Sequence, residues 1–249
     1  MHKALLAALI ATYAALWLGG IVSYALLGGP PPGAQWTAPA FLLLAGLAVG
    51  LSAGRQDWPV LGVAAIGGFA AEVCGVKTGW PFGQYAYTSA LAPSLFGVPL
   101  VMVCAWVILT AYVRQMLWRL SLPAWLVAVA GGLWMTAMDL VIDPLAANAL
   151  GYWHWAEGGS YYGIPAGNFL GWFVVSTLIC GLVRAMDGGA AGDRPIARAV
   201  GLSVMVFFTL IALAQRQSLA AACGLALCAW HWALRAANAR LKLPALRQS

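Results

Sequence analysis

The chain has 249 residues, of which 63% are hydrophobic and 8% carry a charge. Soluble domains contain about 25% charged residues, so the composition excludes an ordinary soluble protein and indicates an integral membrane protein. The net charge of +6 requires no nucleic-acid partner, because basic residues at the cytoplasmic ends of membrane spans account for such an excess.

Windows of about 17 to 25 apolar residues, the length that crosses a bilayer, recur along the whole chain. The first is interpreted as a span rather than a signal peptide, because no small-residue cleavage site follows it. The fold class is therefore all-α, a polytopic transmembrane bundle forming a single domain over residues 1–249. About eight spans are predicted, or seven if the second and third are one: 4–27, 38–53, 59–76, 97–117, 122–142, 168–185, 196–214 and 218–236.

Basic residues predict the orientation, because Lys and Arg concentrate in cytoplasmic loops. An arrangement with both termini in the cytoplasm, in a bacterial inner membrane, leaves Lys77 and Arg216 on the outer side. It places the other 11 of the 13 basic residues inside: Lys3, Arg55, Arg114, Arg119, Arg184, Arg194, Arg198, Arg235, Arg240, Lys242 and Arg247.

Four of the seven acidic residues are interpreted as loop charges. Asp57, Asp187 and Asp193 lie in predicted cytoplasmic loops beside basic residues, where charges are ordinarily solvated. Glu157 lies in the outer loop sequence "WAEGGS". The other three, Glu72, Asp139 and Asp143, lie in an apolar span or directly after one, and carboxylates at membrane depth are costly and usually functional.

Glu72, Asp139 and Asp143 are predicted to lie in one outer layer of the membrane. The helical rise places Glu72 roughly 20 Å and Asp139 roughly 26 Å along their spans. Asp139 and Asp143 share a helix face if the helix continues that far, and Asn168 enters the same layer. Converging carboxylates would titrate together with at least one protonated, and a protonated acid in an apolar cavity is a candidate general acid.

Each acid also has an ordinary structural interpretation to be weighed. Asp143 precedes Pro144, so it could instead cap a short helix "PLAANAL". Glu72 could form an ion pair with Lys77 near the membrane surface. Asp139 has no partner within "WMTAMDLVI", which favours a functional role.

Two outer loops, residues 75–97 and 143–167, mix glycine and proline with aromatic residues and are predicted to cap the site. An interfacial belt would place aromatic residues on both faces, and their concentration on one face favours a lined cavity. Aromatic faces attract cations, so the cavity suits a polyene or prenyl substrate that passes through a carbocation. The candidate substrate-binding residues are Trp80, Phe82, Tyr85, Tyr87, Trp153, His154, Trp155, Tyr162, Asn168 and Trp172.

No cofactor and no metal are predicted. The three histidines, His2, His154 and His231, are too far apart in sequence to form a haem pair or a di-iron cluster. His154 is expected to form local hydrogen bonds.

Four motifs occur in order: "GVKTGWPFGQYAYT" (75–88), "FGVPLVMVCAWVIL" (96–109), "MDLVIDPLAANALGYWHW" (138–155) and "YYGIPAGNFLGWF" (161–173). Together they resemble the membrane carotenoid biosynthesis proteins, a family that includes bisanhydrobacterioruberin hydratase and bacterial carotenoid 1',2'-hydratases. The resemblance implies cofactor-independent addition of water across the terminal C1=C2 double bond of an acyclic ψ end group. The expected partners are water and a carotenoid of the lycopene, γ-carotene or C50 type, with membrane lipids and other carotenoid enzymes.

We hypothesise that the three acids catalyse this addition of water. Asp139 or Glu72 donates a proton to C2, and a second carboxylate, which can be Asp143, orients water and accepts its proton. Lys77 tunes their charge, and Asn168 holds water.

Three other functions remain open. A prenyltransferase would use "DLVID" as half of a diphosphate motif, but it also needs Mg²⁺, a second acidic cluster and basic clamps. A lycopene-cyclase-like enzyme begins with the same protonation and differs in product mass. A lipid or proton transporter would use the buried acids as a relay, although no inverted repeat is evident.

Overall fold

The computed structural model describes residues 2–118, 120, 122–187 and 192–242. These residues form eight α-helices: α1 His2–Ile21, α2 Thr37–Ser52, α3 Trp58–Thr78, α4 Met102–Leu117, α5 Ala124–Asn148, α6 Ala166–Asp187, α7 Pro195–Ala214 and α8 Ser218–Lys242. Six are long and apolar enough to cross a membrane, and α2 and α4 are shorter apolar helices. The prediction of an all-α membrane bundle is confirmed. Arg119 and Arg247, which entered the orientation argument, lie outside the described residues.

α5 is longer than the sequence predicts, because it continues through Pro144 to Asn148. Proline has no N–H, so the carbonyl of Leu140, one turn earlier, loses its helical partner. The hydroxyl of Tyr161 donates to that carbonyl at 2.7 Å. Asp143 therefore lies within α5, on the same face as Asp139, and the alternative in which it caps a new helix is wrong.

α4 occupies the middle of the bundle, where it packs against α2, α3 and α7, while α5 packs along α6. Gly68 allows α3 and α4 to approach closely, because a Cβ at this position would overlap the ring of Trp106. Trp106 is consequently fully buried against α3. Glu72 lies one turn after Gly68 on the same helix face, so this packing directs Trp106 towards Glu72.

Four short strands cover one end of the bundle, in regions that the sequence presents as loops. β1 (Tyr85–Tyr87) pairs antiparallel with β4 (Trp153–Trp155), and β2 (Ser94–Leu95) pairs with β3 (Val98–Pro99). Because β3 occupies residues 98–99, α4 begins at Met102 rather than near the predicted residue 97. We call this end of the bundle the strand end.

A network of ion pairs holds the opposite end, which we call the ion-pair end. Asp57 is 1% exposed and accepts hydrogen bonds from Arg114 at 2.8 Å and Arg194 at 2.5 Å. Arg114 also donates to Asp187 at 2.6 Å. Asp57 and Asp187 are therefore buried and paired, and their interpretation as solvated loop charges is wrong. Asp193, which pairs with Arg198, keeps an exposed side chain.

Candidate active site

Glu72 is the hydrogen-bond acceptor at the centre of the strand end. It lies on α3 with 4% of its surface exposed. Oε2 accepts from the hydroxyls of Tyr85 at 2.6 Å and Tyr87 at 2.8 Å, and Oε1 accepts from Nε1 of Trp106 at 3.0 Å. Three donors without a cation suit a carboxylate, because an ionised carboxyl group only accepts hydrogen bonds.

The two tyrosines are dependable donors. Burial and, next, the charge of Glu72 raise the pKa of Tyr85 and of Tyr87 well above the ordinary value. Both hydroxyls therefore keep their protons at any physiological pH. They hold the Glu72 carboxyl group in one orientation.

Lys77 lies apart from this cluster, so the alternative of a Glu72–Lys77 ion pair is wrong. The Lys77 side chain is exposed, and its ammonium lies 5.0 Å from the ring centroid of Phe96. The expectation that Lys77 tunes the charge of the acids therefore receives no support from the geometry.

Asp139 and Asp143 form a second acidic group on α5, joined by Asn168 of α6. Both are almost fully buried, at 2% and 1% exposed. The side-chain amide of Asn168 donates to Oδ2 of each aspartate at 2.7 Å. One amide thus bridges two carboxyl groups that lie one helical turn apart.

The two aspartates differ in their remaining partners. Oδ1 of Asp143 accepts from Nε1 of Trp153 at 2.6 Å and of Trp155 at 3.3 Å. Within the described part of the chain, the donor recorded for Asp139 is Asn168. Asp143 therefore accepts more hydrogen bonds from the described residues than Asp139 does, and Asp139 has the more apolar surroundings.

The β1–β4 ladder supplies both the tyrosine and the tryptophan donors. Tyr85 lies opposite Trp155, and Tyr87 lies opposite Trp153, with ring centroids 5.0 and 5.7 Å apart. Alternate residues of a strand face the same side, so all four rings face the acids. His154 occupies the position between the tryptophans and is exposed.

A small cavity lies between the two acidic groups. We call it the acid cavity. It is lined by Glu72, Phe82, Tyr85, Tyr87, Met102, Asp143, Trp153, Trp155, Asn168 and Trp172. Asp139 does not line the cavity, but it accepts a hydrogen bond from Asn168, which does.

Most of the predicted site residues thus meet at one cavity, and a few lie elsewhere. Trp80 is 65% exposed, and the Tyr162 hydroxyl accepts from the backbone N–H of Leu219 at 3.0 Å. Trp106 and Met102 also belong to the site, and the sequence does not predict this. Both occur in the quoted motif at 96–109, where nothing local distinguishes them from core residues.

The fold and the site define an integral membrane protein with buried carboxyl groups in an aromatic cavity, a setting for acid–base chemistry on an apolar molecule. The family described as "Carotenoid biosynthesis protein" matches residues 37–231. The chain therefore belongs to the carotenoid biosynthesis protein family, as its motifs indicate.

One relative carries a specific activity in its name. Over 113 residues the chain is 34% identical to bisanhydrobacterioruberin hydratase of Haloarcula japonica. The matched segment covers 43% of this chain and 37% of that protein. No solved structure matches the chain.

Proposed function

We propose that this protein is a carotenoid hydratase that adds water across the terminal C1=C2 double bond of an acyclic ψ end group, giving a tertiary alcohol. The observation that carries the proposal is the meeting of two acidic groups, Glu72 and the Asp139–Asp143 pair, across one cavity walled by aromatic rings. The family match and the name of the relative support a hydratase that acts on carotenoids.

The Asp139–Asp143 pair supplies the proton. Two bare carboxylates joined by one amide would repel each other, and one shared proton removes most of that repulsion. Among the described donors, Asp139 has one and Asp143 has three, so Asp139 holds this proton at rest. Asp143 borders the cavity, and the proton passes through its carboxyl group to C2. The π electrons of the double bond form the new C–H bond, which leaves a tertiary cation at C1. Asn168 acts as a positioning residue for both aspartates.

Glu72 completes the addition from the other wall. Its carboxylate orients a water molecule, accepts one water proton and directs the oxygen to C1. The rings of Tyr85, Tyr87 and Trp153 present π faces that attract the transient cation. Because one proton leaves Asp143 and one arrives at Glu72, the reaction is balanced without a cofactor, and the proton returns to Asp143 between turnovers.

The expected setting is the cytoplasmic membrane of a bacterium, with other carotenoid enzymes nearby. The substrates that fit the proposal are lycopene, γ-carotene and C50 carotenoids with an acyclic end.

The experiment is mass spectrometry of pigments from lycopene-producing cells that express the wild-type protein or its Asp143→Asn variant. Hydration gives a product heavier by one water in the wild type, and the variant gives unchanged lycopene at equal protein level. A new product of unchanged mass would indicate cyclisation, and a product heavier by a prenyl group would indicate a prenyltransferase. Unchanged pigment in cells that make lycopene, γ-carotene or a C50 carotenoid would favour transport. Each of these three results contradicts the proposal.

A further inference from the structure

A second cavity lies between α1, α2, α4, α5 and α7. We call it the apolar groove. Its walls include Leu16 of α1, Phe41 of α2, Ala105 of α4, Ile142 of α5 and Phe207 of α7. None of these five residues lines the acid cavity, so most of the groove lies outside that cavity.

The groove is built for a hydrocarbon. Apart from its two tryptophans, its polar lining residues are Thr37, Tyr24 and Tyr152 among the described residues. The Thr37 hydroxyl donates to the carbonyl of Ala34, and the two tyrosines hydrogen-bond to each other. Such walls offer nothing to a charged or strongly polar head group, whose burial without partners is costly.

The groove adjoins the acid cavity through three shared residues, Met102, Trp153 and Trp172. Trp153 lines the groove while its Nε1 donates to Asp143 at 2.6 Å. Trp172 stacks on Trp106 with centroids 4.6 Å apart. A molecule in the groove would therefore reach the acids by passing these side chains.

We infer that the apolar groove holds the polyene chain of the substrate while the end group occupies the acid cavity. This inference rests on the proposed function. The groove follows α4 from Met102 to Leu109, about 10 Å at the helical rise. It therefore accommodates the chain segment next to the reacting end, and the rest of the molecule extends beyond it.

α1 forms the lipid-facing wall of the groove. It is the least buried of the six long spans, with 11% of its window buried. At its end a π-helical turn, Val22–Leu26, carries Tyr24 and brings it to Tyr152. π-helical turns are frequent at functional sites, and this one places Tyr24 in the wall of the groove.

Filling the groove tests this inference through pigment binding rather than turnover. Ala105→Trp places an indole in the groove one turn from Met102. Ala65→Trp is the matched control, since Ala65 is also half-buried and lines a different cavity between α2, α3 and α4. The proteins are purified in detergent from lycopene-producing cells, and bound pigment per protein is measured by absorbance.

We expect the wild type and Ala65→Trp to retain pigment and Ala105→Trp to retain about tenfold less, the cost of overpacking an occupied site. Ala38→Trp, on the α2 wall, should show the same loss and replaces Ala105→Trp if that variant does not fold. Equal pigment in Ala65→Trp and the groove variants would overturn the inference. So would loss of a bound phospholipid from the groove variants without loss of pigment.

The groove assignment and the hydratase proposal can be contradicted independently of each other. If the wild type binds pigment without adding water and Ala105→Trp loses the pigment, the groove assignment stands and the hydratase proposal fails. If Ala105→Trp and the wild type bind and hydrate lycopene equally, the hydratase proposal stands and the groove assignment fails.

Discussion

The two ends of the bundle bury acidic residues in opposite ways. At the ion-pair end, Asp57 lies between Arg114 and Arg194, so its charge is neutralised by fixed cations. At the strand end, Glu72 and Asp143 accept hydrogen bonds from tyrosine, tryptophan and asparagine side chains, which are neutral donors. A carboxylate paired with guanidinium groups has little tendency to take up or release a proton. One held by neutral donors can do both, which is what acid catalysis requires.

The first prediction tests the strand end and has the largest expected effect. Asp143→Asn keeps the size of the side chain and removes its transferable proton. Turnover of the polyene should fall by about a thousandfold, within the usual contribution of a general acid. The rate is measured with equal amounts of folded, purified protein. The amide oxygen can still accept from the two tryptophans, but the new NH2 group faces the amide donor of Asn168, so the thermal unfolding midpoint should fall modestly. Turnover within tenfold of wild type would exclude Asp143 as the proton donor.

The second prediction tests the ion-pair end, where the consequence should be instability. Asp57→Ala removes one partner from the buried Arg114 and one from the half-buried Arg194, at a cost of about 3 kcal/mol. The thermal unfolding midpoint in detergent should fall clearly, whereas turnover per folded molecule should be unchanged. A large loss of turnover without a loss of stability would contradict the division between the two ends.

The helices and the shared level of the acids within the bundle could be predicted from the sequence, because both depend on local properties. Hydrophobicity along the chain locates the helices, and the rise per residue places Glu72 and Asp139 in one layer. The partners of the acids could not be predicted in this way. Lys77 is five residues from Glu72 and does not pair with it, yet Trp106, 34 residues away, is one of its three donors, because Gly68 lets α4 approach α3.

The β1–β4 ladder over the acids depends on pairing across an even longer distance in sequence, because Tyr85 lies opposite Trp155. Residues 85–87 and 153–155 alternate aromatic and other side chains, which is a strand pattern, but three residues are too few to predict a strand. Their pairing brings the tyrosines to Glu72 and the tryptophans to Asp143. Similarly, α5 passes Pro144 because Tyr161 replaces the missing donor, a compensation that no local pattern reveals.

The third prediction concerns the donors that hold Glu72. Tyr87→Phe removes one hydrogen bond to the carboxyl group and preserves the ring. A hydrogen bond to a charged group contributes about 1.5 to 3 kcal/mol, so we expect a roughly tenfold fall in kcat with little change in KM. A matched control is Tyr13→Phe, which removes the hydrogen bond to Ser203 far from the acid cavity. Equal effects of the two variants on kcat would show that Tyr87 has no special role in orienting Glu72.

The fourth prediction has the smallest expected effect and tests how α5 keeps Asp143 in register. Tyr161→Phe leaves the Leu140 carbonyl without its donor, which should cost about 1 kcal/mol of stability and lower turnover severalfold by loosening the helix around Pro144. Thr136→Val is the control. The Thr136 hydroxyl also donates to a carbonyl of α5, that of Gly132, but this carbonyl keeps the backbone N–H of residue 136 as a helical donor. The unfolding midpoint and kcat should both fall in Tyr161→Phe and stay near wild type in Thr136→Val. If the two variants behave alike, the position of Asp143 depends on packing against α6 rather than on the bond from Tyr161.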